Sequence, residues 1–402
     1  MPLAVYILGL AIFAQGTSEF MLSGLLPEIA GDLGVSIPDA GLLISAFALG
    51  MVVGAPLLAV VTLRWPRRTA LLAFLAVFVL THVVGALTSS YGLLLTTRVV
   101  GAFAYAGFWA VASVAAVGMV PSNARGKALA IVTGGLTVAT IVGVPAGTFI
   151  GQHSSWRAAF WAVAALSALM AIGVPATVPG GRPAQDAMPR LRQELRVMAD
   201  PRLWLAYGTI SLAFGAVIVT FSYLGALLTG TTGLPEAWVP AVLALFGVGS
   251  LIGITIGGRV ADAHPFATLY AAVTGIVIVS VALALATTNA AAVVVLVFLL
   301  GGFGFAINPA LNVRVFSLAG EARTLAGATV TSAFNIGITV APWLGGLALG
   351  AGLGYPSVAW TGAALGLAAL GAVAVGAALH RRSSREGAAM TAPALREAAL
   401  CE

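Results

Sequence analysis

The chain is 402 residues long, 60% hydrophobic and 8% charged, with a mean hydropathy of +1.05. A water-soluble domain carries about a quarter of its residues as charges to cover its surface. This composition therefore excludes a soluble fold and implies an all-α polytopic membrane protein covered by lipid.

Twelve apolar runs are long enough to cross the bilayer as helices. They cover roughly 3–27, 39–63, 69–88, 92–119, 127–151, 156–178, 202–229, 237–260, 266–287, 290–313, 323–349 and 356–379. The opening MPLAVYILGL has no basic residue before its apolar run, so it reads as a retained first span rather than a cleaved signal. Within that span, FAQGTSEFML (13–22) carries Glu19, the only charge between Leu3 and Leu26, with Gln15 one helical turn before it. Span 2 contains Gly50 and Gly54, and RWPRR follows with Arg64, Arg67 and Arg68. Span 3 holds His82, which reads more readily as a structural hydrogen-bond partner than as a proton relay. Span 4 holds Arg98 and the aromatic group Tyr105, Phe108 and Trp109, either ligand stackers or lipid-facing rings. In span 5, GVPAG sets Pro145 between Gly143 and Gly147, a pattern of a pliable gate helix or of ordinary small-residue packing. The connection 179–201 begins loop-like and then offers RLRQELRVMA, a short interfacial helix or a solvated linker. Asn308, Asn312 and Asn335, in spans 10 and 11, face a substrate cavity or bond neighbouring helices.

The connections alternate in charge. Those after even-numbered spans, and the tail, carry 17 of the 19 Lys and Arg residues; Arg98 and Arg157 are the others. Those after odd-numbered spans carry Glu28, Asp32, Asp39 and Glu236. The positive-inside rule then places both termini in the cytoplasm. It also accounts for the net charge of +6 without a nucleic-acid partner. The lone cysteine, Cys401, excludes an intrachain disulfide. No metal-binding, nucleotide-binding or nucleophile motif occurs, so neither an enzyme nor a cofactor is expected.

The two halves echo each other near an offset of 199. Gly50 and Gly54 match Gly249 and Gly253; Pro66 and Thr69 match Pro265 and Thr268; GAFAYA (101–106) resembles GGFGFA (301–306). This predicts a six-helix bundle over 1–178, a linker over 179–201, a second bundle over 202–380 and a cytoplasmic tail over 381–402. Such repeats place a site near the midplane between the halves. Glu19 and Arg98 have no counterparts: Ile218 stands at the first place, and Val297, or Phe298 at the span-4 offset, at the second. An asymmetric pair of membrane charges points to a job that one half performs. A charge at bilayer depth costs several kcal/mol, burial raises a carboxylate's pKa and a nearby cation lowers it. A Glu moving between such surroundings loads and releases a proton. The bland alternatives are a Glu19 that only bonds between helices and an Arg98 that snorkels to the headgroups.

Several stretches resemble the major facilitator superfamily, in its twelve-span drug:proton antiporter branch, and the likeness covers nearly the whole chain. SEFMLSGLLPEIAGDLGVSIPDAGLLISAFALGMVVGAPL (18–57) is similar to that branch's span 1–2 signature. RWPRR (64–68), RVVGA (98–102) and GVPAGTFIGQHSSWR (143–157) resemble its loop 2–3, span-4 and antiporter signatures. Leu63 stands where the loop signature has Asp, Asp262 keeps that place in the second half, and Ala106 replaces a frequent His. The resemblance is strongest to the bacterial chloramphenicol exporter type. It implies a monomeric bacterial membrane carrier exchanging a small apolar drug for protons, with Glu19 and Arg98 coupling the proton. The candidate substrate contacts are Gln15, Tyr105, Asn308 and Asn335; the stretches that resemble the family, with the repeat, make Gly54, Arg64, Arg67, Arg68, Gly143, Pro145, Gly147 and Asp262 the candidate conformational motifs. An exporter of sugars or other metabolites is the alternative within the fold; a non-transporting sensor is the alternative outside it.

Overall fold

A computed structural model describes residues 1–62, 65–180, 197–261, 263–320 and 323–400, with side chains at all of these but 59, 60, 323, 324 and 383–400. Among them are twelve helices long and apolar enough to span a membrane. In order, the spanning helices are Leu3–Phe20, Ile37–Val61, Arg67–Leu87, Tyr91–Gly118, Arg125–His153, Trp156–Thr177, Pro201–Ser222, Val239–Ala261, Pro265–Leu285, Ala290–Ala319, Arg323–Gly350 and Pro356–Leu400. They are called spans 1 to 12.

The repeat is visible in how the halves pack. A Cβ on Gly50 would press on the Val99 carbonyl, and one on Gly54 would lie 3.2 Å from Phe103 Cα. In the second half, a Cβ on Gly249 would press on the Phe298 carbonyl and one on Gly253 on the Gly302 carbonyl. Spans 2 and 4 thus cross as spans 8 and 10 do, at the same offset. One further match escapes the sequence because the residues differ. Ser90 and Asn289 are 199 apart and both cap their helices, accepting from Leu93 N and Ala292 N.

Spans 2 and 11 join the halves. Pro56 has no N–H, so the Val52 carbonyl loses its intrahelical partner. Ser332 Oγ, from span 11, donates to that carbonyl at 2.9 Å. Spans 5 and 8 form the other seam, where a Cβ on Gly247 would sit 2.6 Å from the Thr140 carbonyl. At the end away from the termini the halves are closed. Every residue from Ala14 to Leu26 and from Ala213 to Leu228 is buried. Toward the termini, span 1 instead presents an exposed stripe through Leu3, Tyr6 and Leu10.

Three helices differ from the sequence expectation. Span 1 was expected to run unbroken over 3–27, yet the α-helix stops at Phe20 and a 3-10 turn covers Met21–Gly24, before a short helix at Leu26–Leu33. Thr17 and Ser23 bond back to the Phe13 and Phe20 carbonyls, which competes with regular helix. Span 5 is α-helical over Arg125–Val138 and Val144–His153, with a π turn over Ala139–Gly143 just before Pro145. Proline there cannot supply the N–H that a regular turn needs. Span 12, expected over 356–379, continues as helix through Leu400 along the stretch read as the tail, which is rich in Ala, Arg and Glu. The expected interfacial helix at 190–199, together with Leu63, Arg64 and Asp262, lies wholly or mostly outside the described residues.

Candidate functional site

Span 1 delivers Glu19 to the last turn before the 3-10 segment, where the side chain is 5% exposed. Arg98 comes from span 4 and is 2% exposed, so it does not snorkel. The two do not form an ion pair. Arg98 Nη1 donates to Ser18 Oγ at 2.7 Å and Nη2 donates to the Ser18 carbonyl at 2.9 Å. Its guanidinium lies 4.1 Å over the centre of the Phe47 ring, and its Nε has no partner among the described residues. Arg98 is nevertheless the cation whose field reaches Glu19. Among the described residues, no hydrogen bond or ion pair engages the Glu19 carboxylate.

Ser18 extends the network. Its Oγ lies 2.6 Å from His82 Nε2, and His82 Nδ1 lies 2.8 Å from the Phe78 carbonyl. The donor count closes when Ser18 accepts from Arg98 and donates to Nε2, with Nδ1–H donating to Phe78. His82 therefore ties span 3 to span 1 through Ser18.

The walls are small residues that let backbones approach. A Cβ on Gly143 would press on Thr17, one on Gly147 would meet Met21 Cβ at 3.2 Å, and one on Gly151 would press on Leu25. Gly143, Gly147 and Gly151 therefore form one seam of span 5 against span 1, while Pro145 is half-buried on another face. The π turn touches span 8 on its other side. Glu19 is flanked by two irregular backbone segments, and such turns within spans mark places where helices bend.

Tyr105 is 1% exposed and packs 6.1 Å from Phe47 and 6.0 Å from Trp109, ring to ring, inside the protein rather than against lipid. Gln15 is fully buried, one turn below Glu19 on the same helix face. Its Nε2 donates to the Ala11 carbonyl at 3.2 Å, leaving Oε1 without a donor among the described residues. Asn335 Nδ2 donates to Thr331 at 2.9 Å, and its Oδ1 is likewise buried and unpartnered, as is Asn308 Oδ1. At 1.5 Å per residue, Gln15, Asn308 and Asn335 lie about 18, 17 and 18 Å from the termini-side ends of their helices. Three orphaned amide acceptors, from both halves, thus share one level. Asn312 is otherwise occupied, donating to the Asn308 carbonyl at 2.8 Å. Arg67 and Arg68 begin span 3, with Arg67 against Gly118 at the end of span 4.

Sequence reasoning missed Ser18 as the residue that holds Arg98, Phe47 as its stacking partner, and both irregular turns. The one available signal was adjacency: Ser18 directly precedes the odd carboxylate.

The profile of the Major Facilitator Superfamily matches residues 8–331. The chain belongs to that superfamily. A chloramphenicol resistance protein of Streptomyces lividans is 43% identical over 372 residues, covering 92% of this chain and 95% of the relative. The inner membrane transport protein YdhP of Escherichia coli K12 is 36% identical, covering 90% and 93%. The crystal structure of the nucleoside transporter NupG superposes with a TM-score of 0.74 at 14% identity, covering 93% of this chain and 99% of that one. The chain is accordingly a twelve-span superfamily transporter, a multi-pass membrane protein of two related six-helix bundles.

Proposed function

We propose that this transporter exports a small apolar drug, chloramphenicol first among candidates, from a bacterial cell in exchange for protons. The observation that carries the reading is Glu19: a carboxylate buried in a span, without a hydrogen-bond donor among the described residues, beside an arginine committed to Ser18. Protonation removes the buried charge; deprotonation leaves it in the field of Arg98. Either change alters the electrostatics next to two irregular turns, at the seam between spans 1 and 5. Arginine placement supports an orientation with both termini in the cytoplasm. The exposed stripe of span 1 then faces inward and the closed end faces outward.

Substrate would lie between the halves at the level of Gln15, Asn308 and Asn335, with Tyr105 as an aromatic wall. Chloramphenicol brings two hydroxyls and an amide N–H, donors for which the three orphaned acceptors are matched. Gly54, Arg67, Arg68, Gly143, Pro145 and Gly147 would serve the rocking of the halves. Drug and proton binding are reciprocal: protonation weakens drug binding by the factor by which drug weakens protonation. No cofactor enters this scheme, and one chain suffices for it.

The test is accumulation of labelled chloramphenicol in cells expressing the chain, with and without a protonophore. Low accumulation that rises when the proton gradient collapses is the expected result. Accumulation equal to that of empty cells in both conditions, with the protein present in the membrane, removes chloramphenicol and turns the search to sugars and other metabolites.

A further inference from the structure

A pocket lies away from Glu19, between spans 7, 9, 10 and 12 at the termini end of the second half. It is a shallow, partly open groove that encloses only about 20 Å³. Arg202 and Arg314 line it together with an apolar wall that includes Leu205, Leu269 and Leu379. The arginines are poorly employed. Arg314 reaches His380 Nδ1 only at 3.4 Å and the Gly376 carbonyl at 3.5 Å, beyond the usual range of an N–H···O bond. The Phe266 ring stacks 4.9 Å beneath it. Among the described residues no carboxylate lies within 4.0 Å of either guanidinium. Asp200 is the acid whose field reaches Arg314, but its Oδ1 is engaged as the cap of span 7, accepting from Arg202 N at 2.8 Å. Among the described residues, the charged groups shown at the pocket are Arg202, Arg314 and the capping Asp200, with His380 beside Arg314. Arg314 is half-buried and Arg202 exposed; their like charges repel, and an anion bound by both removes that repulsion.

The pocket's depth narrows the identity of the anion. Arg202 is the second residue of span 7, and Arg314 lies about 8 Å inside the end of span 10. Trp204, 56% exposed, marks the same level on the outer face, where indoles favour the membrane–water interface. Lipid phosphates sit at this depth, and the leucine wall runs from it toward the hydrocarbon. Neither arginine has a counterpart that lines an equivalent pocket in the first half, since Leu3 and Ala115 stand at the positions 199 residues earlier. The pocket is therefore not a consequence of the shared bundle architecture.

We propose that Arg202 and Arg314 together hold the phosphate of an anionic phospholipid, whose apolar part lies along the Leu205–Leu269–Leu379 wall. Planar guanidiniums suit phosphate geometry, and basic pockets between spans at this surface bind anionic headgroups.

The experiment uses the full chain purified in a neutral detergent. Phosphatidylglycerol, phosphatidylcholine or inorganic phosphate is added, and bound lipid is counted by native mass spectrometry across a titration. The expected result is one more retained phosphatidylglycerol than phosphatidylcholine, with retention falling as salt rises. Arg202→Gln combined with Arg314→Gln weakens that site at least about tenfold, each lost charge near the surface being worth several-fold. Arg314→Lys weakens it less. Thr209→Leu, which narrows the pocket without touching its charge, also lowers retention and carries the test if the double variant does not fold. Retention of phosphatidylglycerol by the folded double variant at the parent level, or by Thr209→Leu where that variant carries the test, overturns the proposal. So does displacement of the lipid by inorganic phosphate at equal concentration, which identifies a soluble anion as the ligand.

Discussion

At the scale of single residues, Glu19 and Arg98 make different predictions because they are held differently. Glu19→Gln keeps shape and hydrogen-bonding capacity but cannot change charge. Uphill export driven by a proton gradient is expected to vanish while drug exchange between equal compartments continues; cells expressing it at normal levels and showing normal resistance would sink the proton-carrier role. Arg98→Lys keeps the charge but loses the fork. A lysine cannot bond the Ser18 hydroxyl and carbonyl in the same plane while stacking on Phe47. The expected cost is about 1–3 kcal/mol of stability, that of orphaning buried groups, together with loss of transport. An unfolding midpoint in detergent unchanged from the parent would show that the fork does not hold span 1 to span 4. Both charges were legible in the sequence, because an ionised side chain in an apolar run is conspicuous. Their partner was not. Ser18 is an ordinary small polar residue, and nothing in one dimension tells which way an arginine eighty positions later will turn.

At the scale of helices, glycine is read from the sequence as small, but only the structure shows what each glycine faces. A Cβ on Gly54 would meet Ala106 Cβ at 3.0 Å and Phe103 Cα at 3.2 Å, tight contacts that a shift of a few tenths of an ångström relieves. A Cβ on Gly253, its repeat partner, would press on the Gly302 carbonyl, a backbone atom within a helix. Gly253→Ala is therefore expected to cost more than Gly54→Ala, toward the upper end of the about 1–3 kcal/mol typical of overpacking. Equal losses in thermal unfolding would mean that both seams relax alike. Pro56 makes a second case. Its effect on span 2 was hidden because the remedy comes from the other half, as Ser332 donates to the carbonyl that proline leaves free. Ser332→Ala should cost about 1–3 kcal/mol, the penalty of an orphaned buried acceptor. In a Pro56→Ala background, where the helix supplies its own donor, the same change should cost much less. Equal costs in both backgrounds would refute the coupling. The irregular turns at Met21–Gly24 and Ala139–Gly143 belong to the same class of features. Periodicity in an apolar span does not register a turn of different pitch, so the sequence predicts two regular helices where the chain bends.

At the scale of the whole molecule, the twelve spans and the repeat were legible because lipid demands them: length, hydropathy and arginine placement are strong constraints in a bilayer. The closed end away from the termini was not, since it depends on how one half meets the other. Two carboxylates there differ in a way that pH can read. Asp32 forms an ion pair with Arg157 and accepts from Trp156 Nε1 at 3.1 Å. The hydrogen bond from Arg157 above all holds its carboxyl below the ordinary range. Glu28 lies one turn earlier on the short helix Leu26–Leu33, and its Oε2 is buried without a partner among the described residues. Burial foremost pushes its carboxyl up, a backbone hydrogen bond opposes this, and Glu236, from the other half, adds to it. The signs are opposite. Asp32 is depressed in the folded state, so its stabilisation is present above the unfolded value, near 3.9, and is lost as pH falls through the folded value. Glu28 is raised, so its contribution is fully present below the unfolded value, near 4.3, and is lost as pH rises through the folded one. Glu28→Gln should therefore match the parent in unfolding midpoint near pH 4 and exceed it at pH 7 and above. Asp32→Asn should fall below the parent at pH 7 and converge with it in acid, and 43% exposure of the Asp32 side chain keeps that effect small. Midpoints measured in detergent from about pH 2 to 8 separate the two. If Glu28→Gln gains nothing as pH rises, the carboxylate is solvated in the folded chain and the repulsion from Glu236 does not act across the closed end. If it gains and Glu236→Gln gives part of the same rise, the two halves hold this end shut against a like-charge pair. In that case alkaline conditions at this end favour its opening.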